Sequence, residues 1–343
     1  MRTTAAPALA LSLALSAACR GGADAPKDDA PAGDGGGVGE DTGPADGGWD
    51  PDAPLYENCW SDIDPVAAGF PVYENFGVVA GHHCQGSDHQ DIEGIERLVF
   101  LGDSITAGTP PTPSDQIWRA LFAEAMQARF GADLEIADCS RFGARTDDYA
   151  NEQIPTCFPT PSDKRTLVVG TMGGNDIFAA ASTLLEGGGV EASLAVLDRA
   201  VGFQRDAMWW FRDNADLMFP GGVAVISANV YEFTDTTGDL SACPMADQLG
   251  FGGQADEVGF ATGYLNAAWA EIAVETRTDV LFLQEEFCGH GFASTDPENP
   301  CYRGPEAPVY FDLTCIHPTP AGHSRLSAMF TAVVDDAASP PAR

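Results

Sequence analysis

The chain has 343 residues, 44% hydrophobic and 20% charged, a balance that supports a sizeable core and excludes a wholly disordered protein. Acidic side chains outnumber basic ones 51 to 17, for a formal net charge of -34. Such a surface repels phosphate backbones and anionic membranes, which excludes nucleic acid as a partner and favours neutral substrates.

The N-terminus begins with Met1 and Arg2 and continues into an Ala/Leu-rich run over 5–18. This reads as a signal peptide, too short to span a bilayer as a stable helix. The run closes on Leu15-Ser16-Ala17-Ala18-Cys19, which has the form of a bacterial lipobox. Cys19 is therefore expected to carry a lipid that anchors an exported domain at the cell envelope, as an outer-membrane or cell-surface lipoprotein. From 19 to 54 the composition falls to Gly, Ala, Pro and Asp with almost no large apolar residue. A stretch of that kind cannot offset the entropy of ordering, so it is expected to act as a flexible tether. The folded domain is assigned to 55–338, with an irregular N-terminal extension over 55–96 and a tail over 339–343.

Nine cysteines less Cys19 leave eight, an even number that in an exported chain suggests disulfides. Cys59 with Cys84 and Cys139 with Cys157 close short loops, although spacing alone leaves the pairing open. Within the extension, His82, His83, Cys84 and His89 raise the alternative of a metal-dependent hydrolase, but their spacing fits no standard zinc pattern.

Beyond the extension, apolar runs alternate with helical periods. Leu98-Val99-Phe100-Leu101 reads as a strand buried on both faces. Ser114 or Asp115 is expected to cap a helix carrying Ile117, Leu121, Phe122, Ala125 and Met126 on one face up to Gly131. Further strands are expected at 134–137, 167–169, 223–226 and 280–283, and further helices at 191–218, 255–276 and 320 to about 336. Parallel connections need crossovers long enough to hold a helix. The fold class is therefore α/β, a three-layer sandwich around a mostly parallel sheet of about five strands.

In such sheets ligands bind at the carboxyl ends of the strands. The first strand exits into Gly102-Asp103-Ser104-Ile105-Thr106, the second into a loop ending Arg141-Phe142-Gly143, and the third into Gly173-Gly174-Asn175-Asp176. Near the C-terminus comes Asp312-Leu313-Thr314-Cys315-Ile316-His317-Pro318. Each piece has an ordinary structural explanation: Ser104 as a helix cap, Gly143 as a turn glycine, Asn175 as a cap and His317 as a packed histidine. Together, in this order, they resemble the four marker blocks of the SGNH, or GDSL-type, hydrolases over about 97–335. The G-x-S-x-G elbow of the α/β-hydrolases is absent around Ser104.

The resemblance implies ester hydrolysis without a cofactor, on a flavodoxin-like three-layer fold. It implies Ser104 as nucleophile and His317 as its base, because a serine hydroxyl attacks a carbonyl only when a neighbouring imidazole takes its proton. Oxyanion donors carry over to the Ser104 N–H, the Gly143 N–H and the Asn175 amide. One departure stands out. The family's usual aspartate three residues before the histidine is here Thr314, and the nearest acid is Asp312. Either Asp312 orients the imidazole or a main-chain carbonyl near Thr314 does, and under both readings the Thr314 side chain is dispensable.

His323 is expected at a helix start or on the surface, and Trp209, Trp210 and Phe211 in the core. The expected partner is a small-molecule, glycan or lipid ester, with the membrane met through Cys19. The rivals are a surface lipoprotein that keeps the fold but only binds, and the metal-dependent hydrolase at the extension histidines.

Overall fold

Five strands form one sheet: β1 (Arg97–Gly102), β2 (Glu135–Asp138), β3 (Thr166–Thr171), β4 (Val223–Ala228) and β5 (Asp279–Leu281). Their order is β2-β1-β3-β4-β5, and every neighbouring pair runs parallel. The computed structural model describes residues 49–50, 52–246 and 256–336, so Cys19, the apolar leader and most of the assigned tether lie outside the described residues. The main helices are α1 (Ser104–Ala107), α2 (Trp118–Phe130), α3 (Gly174–Leu185), α4 (Gly189–Asp213), α5 (Asp256–Thr276), α6 (Leu283–Phe287) and α7 (Pro320–Asp336).

Side chains alternate across each strand, and the core divides accordingly. Leu98, Phe100, Leu167, Val169, Ala224 and Ile226 point into one cluster with Trp118 and Phe122 of α2 and Phe330 of α7. Trp118 and Phe330 stack there with ring centroids 4.5 Å apart. Val99, Leu101, Val168 and Val225 point the other way, toward Met208 and Phe211 of α4 and Ile272 of α5. Helices therefore cover both faces, giving the three-layer α/β fold expected, and the inner strands β1 and β3 are buried as their continuous apolar runs require. The edge strand β2 is mostly exposed.

The N-terminal extension packs Leu55, Trp60, Phe70 and Tyr73 against Trp269 and Phe282. Its later part is pinned to β5 through Asp279, which accepts hydrogen bonds from Ser87 Oγ at 2.9 Å and His89 N at 2.7 Å. Cysteines pair as Cys59–Cys84, Cys139–Cys157, Cys243–Cys315 and Cys288–Cys301. The first two are the short loops legible in the spacing.

Several elements differ from expectation. Helix α2 starts at Trp118, with neither Ser114 nor Asp115 as its cap. Instead its first N–H donates to His323 Nδ1 at 3.3 Å, so a residue from the last helix does the capping. His323 lies in the first turn of α7, the helix start expected, but is buried and not on the surface. The helix expected over 191–218 breaks at Asn214 into α4 and a short turn, Ala215–Met218. β5 ends at Leu281 because the chain turns into α6. Of the aromatic triplet only Phe211 is core; Trp209 is exposed.

Candidate active site

The order of the sheet reverses between β1 and β3: the chain goes from β1 outward to β2, then returns to β1's other side. The carboxyl ends of these two strands diverge there and leave a crevice. β1 delivers Gly102-Asp103-Ser104 into it. Gly102 has φ +137, and a Cβ on it would lie 2.5 Å from Thr106 Oγ1 and 2.6 Å from the Thr171 carbonyl oxygen, so only glycine passes between the strands. Asp103 caps α1: one carboxylate oxygen accepts from Ile105 N at 3.0 Å and from Thr171 Oγ1 at 2.8 Å. Burial raises the Asp103 carboxyl to a pKa of about 6, while the Thr171 hydroxyl pulls it down.

Gln153 clamps the same turn from the side. Its Oε1 accepts from Gly102 N at 2.7 Å and its Nε2 donates to the Gly102 carbonyl at 2.8 Å. Gln153 ends a π-helical turn, Tyr149–Gln153, inside a helical run over 146–157. π-turns of this kind re-aim a side chain that a regular helix would direct elsewhere.

His317 Nε2 lies 3.0 Å from Ser104 Oγ, and Nδ1 lies 3.2 Å from Thr314 Oγ1. The Asp312 carboxylate hydrogen-bonds to Thr314, not to the imidazole: its Oδ1 accepts from Thr314 N at 2.8 Å and Thr314 Oγ1 at 2.5 Å. Burial lowers the His317 pKa, and the Asp312 charge works against that shift. The loop is braced on several sides. Asp312 N donates to the His317 carbonyl at 2.8 Å, Tyr231 Oη donates to the Ile316 carbonyl at 2.7 Å, and Cys315 is bonded to Cys243.

Gly143 has φ +72 with nothing within 4 Å of an added Cβ, so backbone conformation, not space, calls for glycine. Asn175, in the first turn of α3, donates one amide proton to the Ala144 carbonyl at 2.9 Å, which keeps the other free. Asp176 accepts from Thr146 N at 3.2 Å and Thr146 Oγ1 at 3.1 Å, fastening α3 to the Gly143 loop. Burial raises the Asp176 pKa to about 6. Among the described residues, neither Ser104 N nor Gly143 N has a hydrogen-bond acceptor.

Ser104 and His317 thus meet, while the Gly143 loop and the first turn of α3 that carries Asn175 are tied to each other and Asp312 stands one hydroxyl away from the ring. The extension histidines do not converge. Cys84 is bonded to Cys59, His83 Nδ1 accepts from Gln85 N at 2.8 Å, and His82 packs on Trp49 with ring centroids 4.7 Å apart. Among the described residues no group of three His, Cys, Asp or Glu side chains is arranged to hold a metal. Sequence reasoning missed Gln153, Thr171 and Tyr231, which are remote from the motifs they support. It also missed where the Thr314 hydroxyl points.

A parallel α/β/α sheet with a serine–histidine pair at its switch point defines the class of serine hydrolases. The model of the GDSL-like lipase/acylhydrolase family matches residues 100–325, and the chain belongs to that family: it is a serine ester hydrolase. Among solved structures, an extracellular lipase from Streptomyces rimosus is 22% identical, over 69% of this chain and 99% of the lipase, with a TM-score of 0.47. Phospholipase A1 from Streptomyces albidoflavus NA297 is 20% identical over 69% and 99%, with a TM-score of 0.47. The acetylxylan esterase Axe2 from Geobacillus stearothermophilus is 18% identical over 71% and 96%, with a TM-score of 0.44. No curated protein matches the chain.

Proposed function

We propose that the protein hydrolyses neutral carboxylic esters through a covalent acyl-enzyme on Ser104. As Ser104 Oγ bonds to the ester carbonyl carbon, its proton passes to His317 Nε2. The carbonyl oxygen becomes an oxyanion, which the N–H groups of Ser104 and Gly143 and the free amide proton of Asn175 receive. Collapse expels the alcohol, which takes the proton from Nε2. Water then repeats the sequence: His317 takes its proton, its oxygen attacks the acyl carbon, and Ser104 is released with the acid. The observation that carries this reading is the 3.0 Å contact between Nε2 and Oγ at the switch point.

The substrate class follows from charge. With a formal net charge of -34, the surface repels anionic esters and leaves uncharged small-molecule or glycan esters as the better match. Export and lipid anchoring at Cys19 belong to the same reading, resting on the leader and the lipobox-like 15–19 segment.

The test is labelling by a fluorophosphonate probe together with hydrolysis of p-nitrophenyl acetate. The protein is expected to do both, and Ser104→Ala neither, with turnover down by about 10,000-fold or more. Folded Ser104→Ala protein with undiminished turnover would refute the reading.

A further inference from the structure

Thr314 occupies the space between the only acid on the His317 loop and the ring itself. Its Oγ1 is 2.5 Å from Asp312 Oδ1 and 3.2 Å from His317 Nδ1. A hydroxyl has one proton to give and lone pairs to accept with, whereas a carboxylate only accepts. The Thr314 proton therefore lies toward Asp312, and its lone pair faces Nδ1. That arrangement requires a proton on Nδ1 and leaves Nε2 bare toward Ser104, the tautomer a general base needs. The Thr314 N–H, 2.8 Å from the same Asp312 oxygen, holds carboxylate and hydroxyl in register.

We propose that Thr314 is a positioning residue that couples the Asp312 charge to His317, an aspartate–threonine–histidine line in place of a directly paired acid. The proposal rests on the esterase reading. When Ser104 Oγ attacks, the only proton that changes atoms is the one moving from Oγ to Nε2. The Nδ1 proton stays on the ring and the Thr314 proton stays on Oγ1. The new positive charge on the imidazolium meets a threonine oxygen made more negative because Asp312 draws on its proton, the cooperative polarisation of linked hydrogen bonds. The carboxylate acts through an added hydrogen bond, so losing it costs less than losing a directly paired triad acid.

Four variants test the line by steady-state hydrolysis of p-nitrophenyl acetate: Thr314→Val, Thr314→Ser, Asp312→Asn, and Thr314→Val with Asp312→Asn. Ser104→Ala is measured alongside. Thr314→Val, which keeps shape but loses the hydroxyl, is expected to lower kcat on the order of 100-fold, the scale of general-base effects, with KM little changed. Thr314→Ser restores the hydroxyl and is expected to recover most of kcat. The double variant is expected to lose no more than Thr314→Val alone, since both changes cut one line. Should Thr314→Val fail to fold, Thr314→Ala lacks the same hydroxyl and carries the same test. Wild-type kcat in Thr314→Val beside a dead Ser104→Ala overturns the line and leaves the esterase reading standing. So does a Thr314→Ser variant as impaired as Thr314→Val, or a double variant whose losses multiply. An active Ser104→Ala overturns both.

Discussion

In the proposed mechanism the protonation state of His317 governs whether Ser104 can react, and its surroundings set that state. Burial disfavours the charged ring and lowers its pKa from 6.5, with the Asp312 charge opposing. A base must be neutral to accept the serine proton, so activity is lost as pH falls through the folded pKa and is complete above it. The acid limb of kcat/KM is therefore expected to have its midpoint below pH 6.5, measured from about pH 4.5 to about pH 8. A midpoint at or above the free imidazole value would mean that burial does not dominate. The candidate residue types themselves were legible in the sequence, since Ser104 and Asn175 follow strand-exit signals and His317 stands in a His-Pro pair near the C-terminus. Gln153 was not, because its clamp on Gly102 spans 51 residues and depends on a π-turn with no composition of its own.

The loops that hold the site are short, and covalent bracing substitutes for regular structure. Cys315 lies between Thr314 and His317, carries φ +63 and is joined to Cys243, while Cys59–Cys84 closes a loop of the N-terminal extension. Removing Cys243–Cys315 as a double serine variant is expected to lower the melting temperature, by a stability loss of up to about 2 to 5 kcal/mol. It is also expected to lower kcat roughly 10- to 100-fold, because misplacing a base by about 1 Å costs on that scale. Removing Cys59–Cys84 is expected to lower the melting temperature and leave kcat near wild type. Equal kcat in both double variants would show that the His317 loop does not need its brace. The pairing across 72 residues could not be read from spacing, since loop-closure entropy rises only slowly with length and so barely discriminates among distant partners. The start of α2 was misread for a related reason. A local cap at Ser114 or Asp115 competes with a distant one, and the packing of α7 against α2 supplies His323.

At the scale of the whole chain, the proposed export and anchoring rest on an apolar N-terminal run that ends in the lipobox-like 15–19 segment, which would act as the leader of an acidic catalytic domain. Protein expressed with that leader is expected to enter the detergent phase on Triton X-114 partitioning and to begin at an acylated Cys19, and Cys19→Ser is expected to stay in the aqueous phase. Wild-type protein recovered in the aqueous phase with an unmodified N-terminus would reject the anchor. By itself, the sequence determined the α/β class, the strands and most helices, because burial on two faces writes continuous apolar runs and helical crossovers write a 3.6-residue period. It also offered Ser104, His317, Gly143 and Asn175 as the candidates on which the proposed mechanism rests. Only the tertiary structure decided the strand order β2-β1-β3-β4-β5, the capping of α2 by His323, the Gln153 clamp, and the route from Asp312 to His317 through a hydroxyl. The first three depend on where distant segments meet and the last on the path of one short loop, and local periodicity carries no information about either.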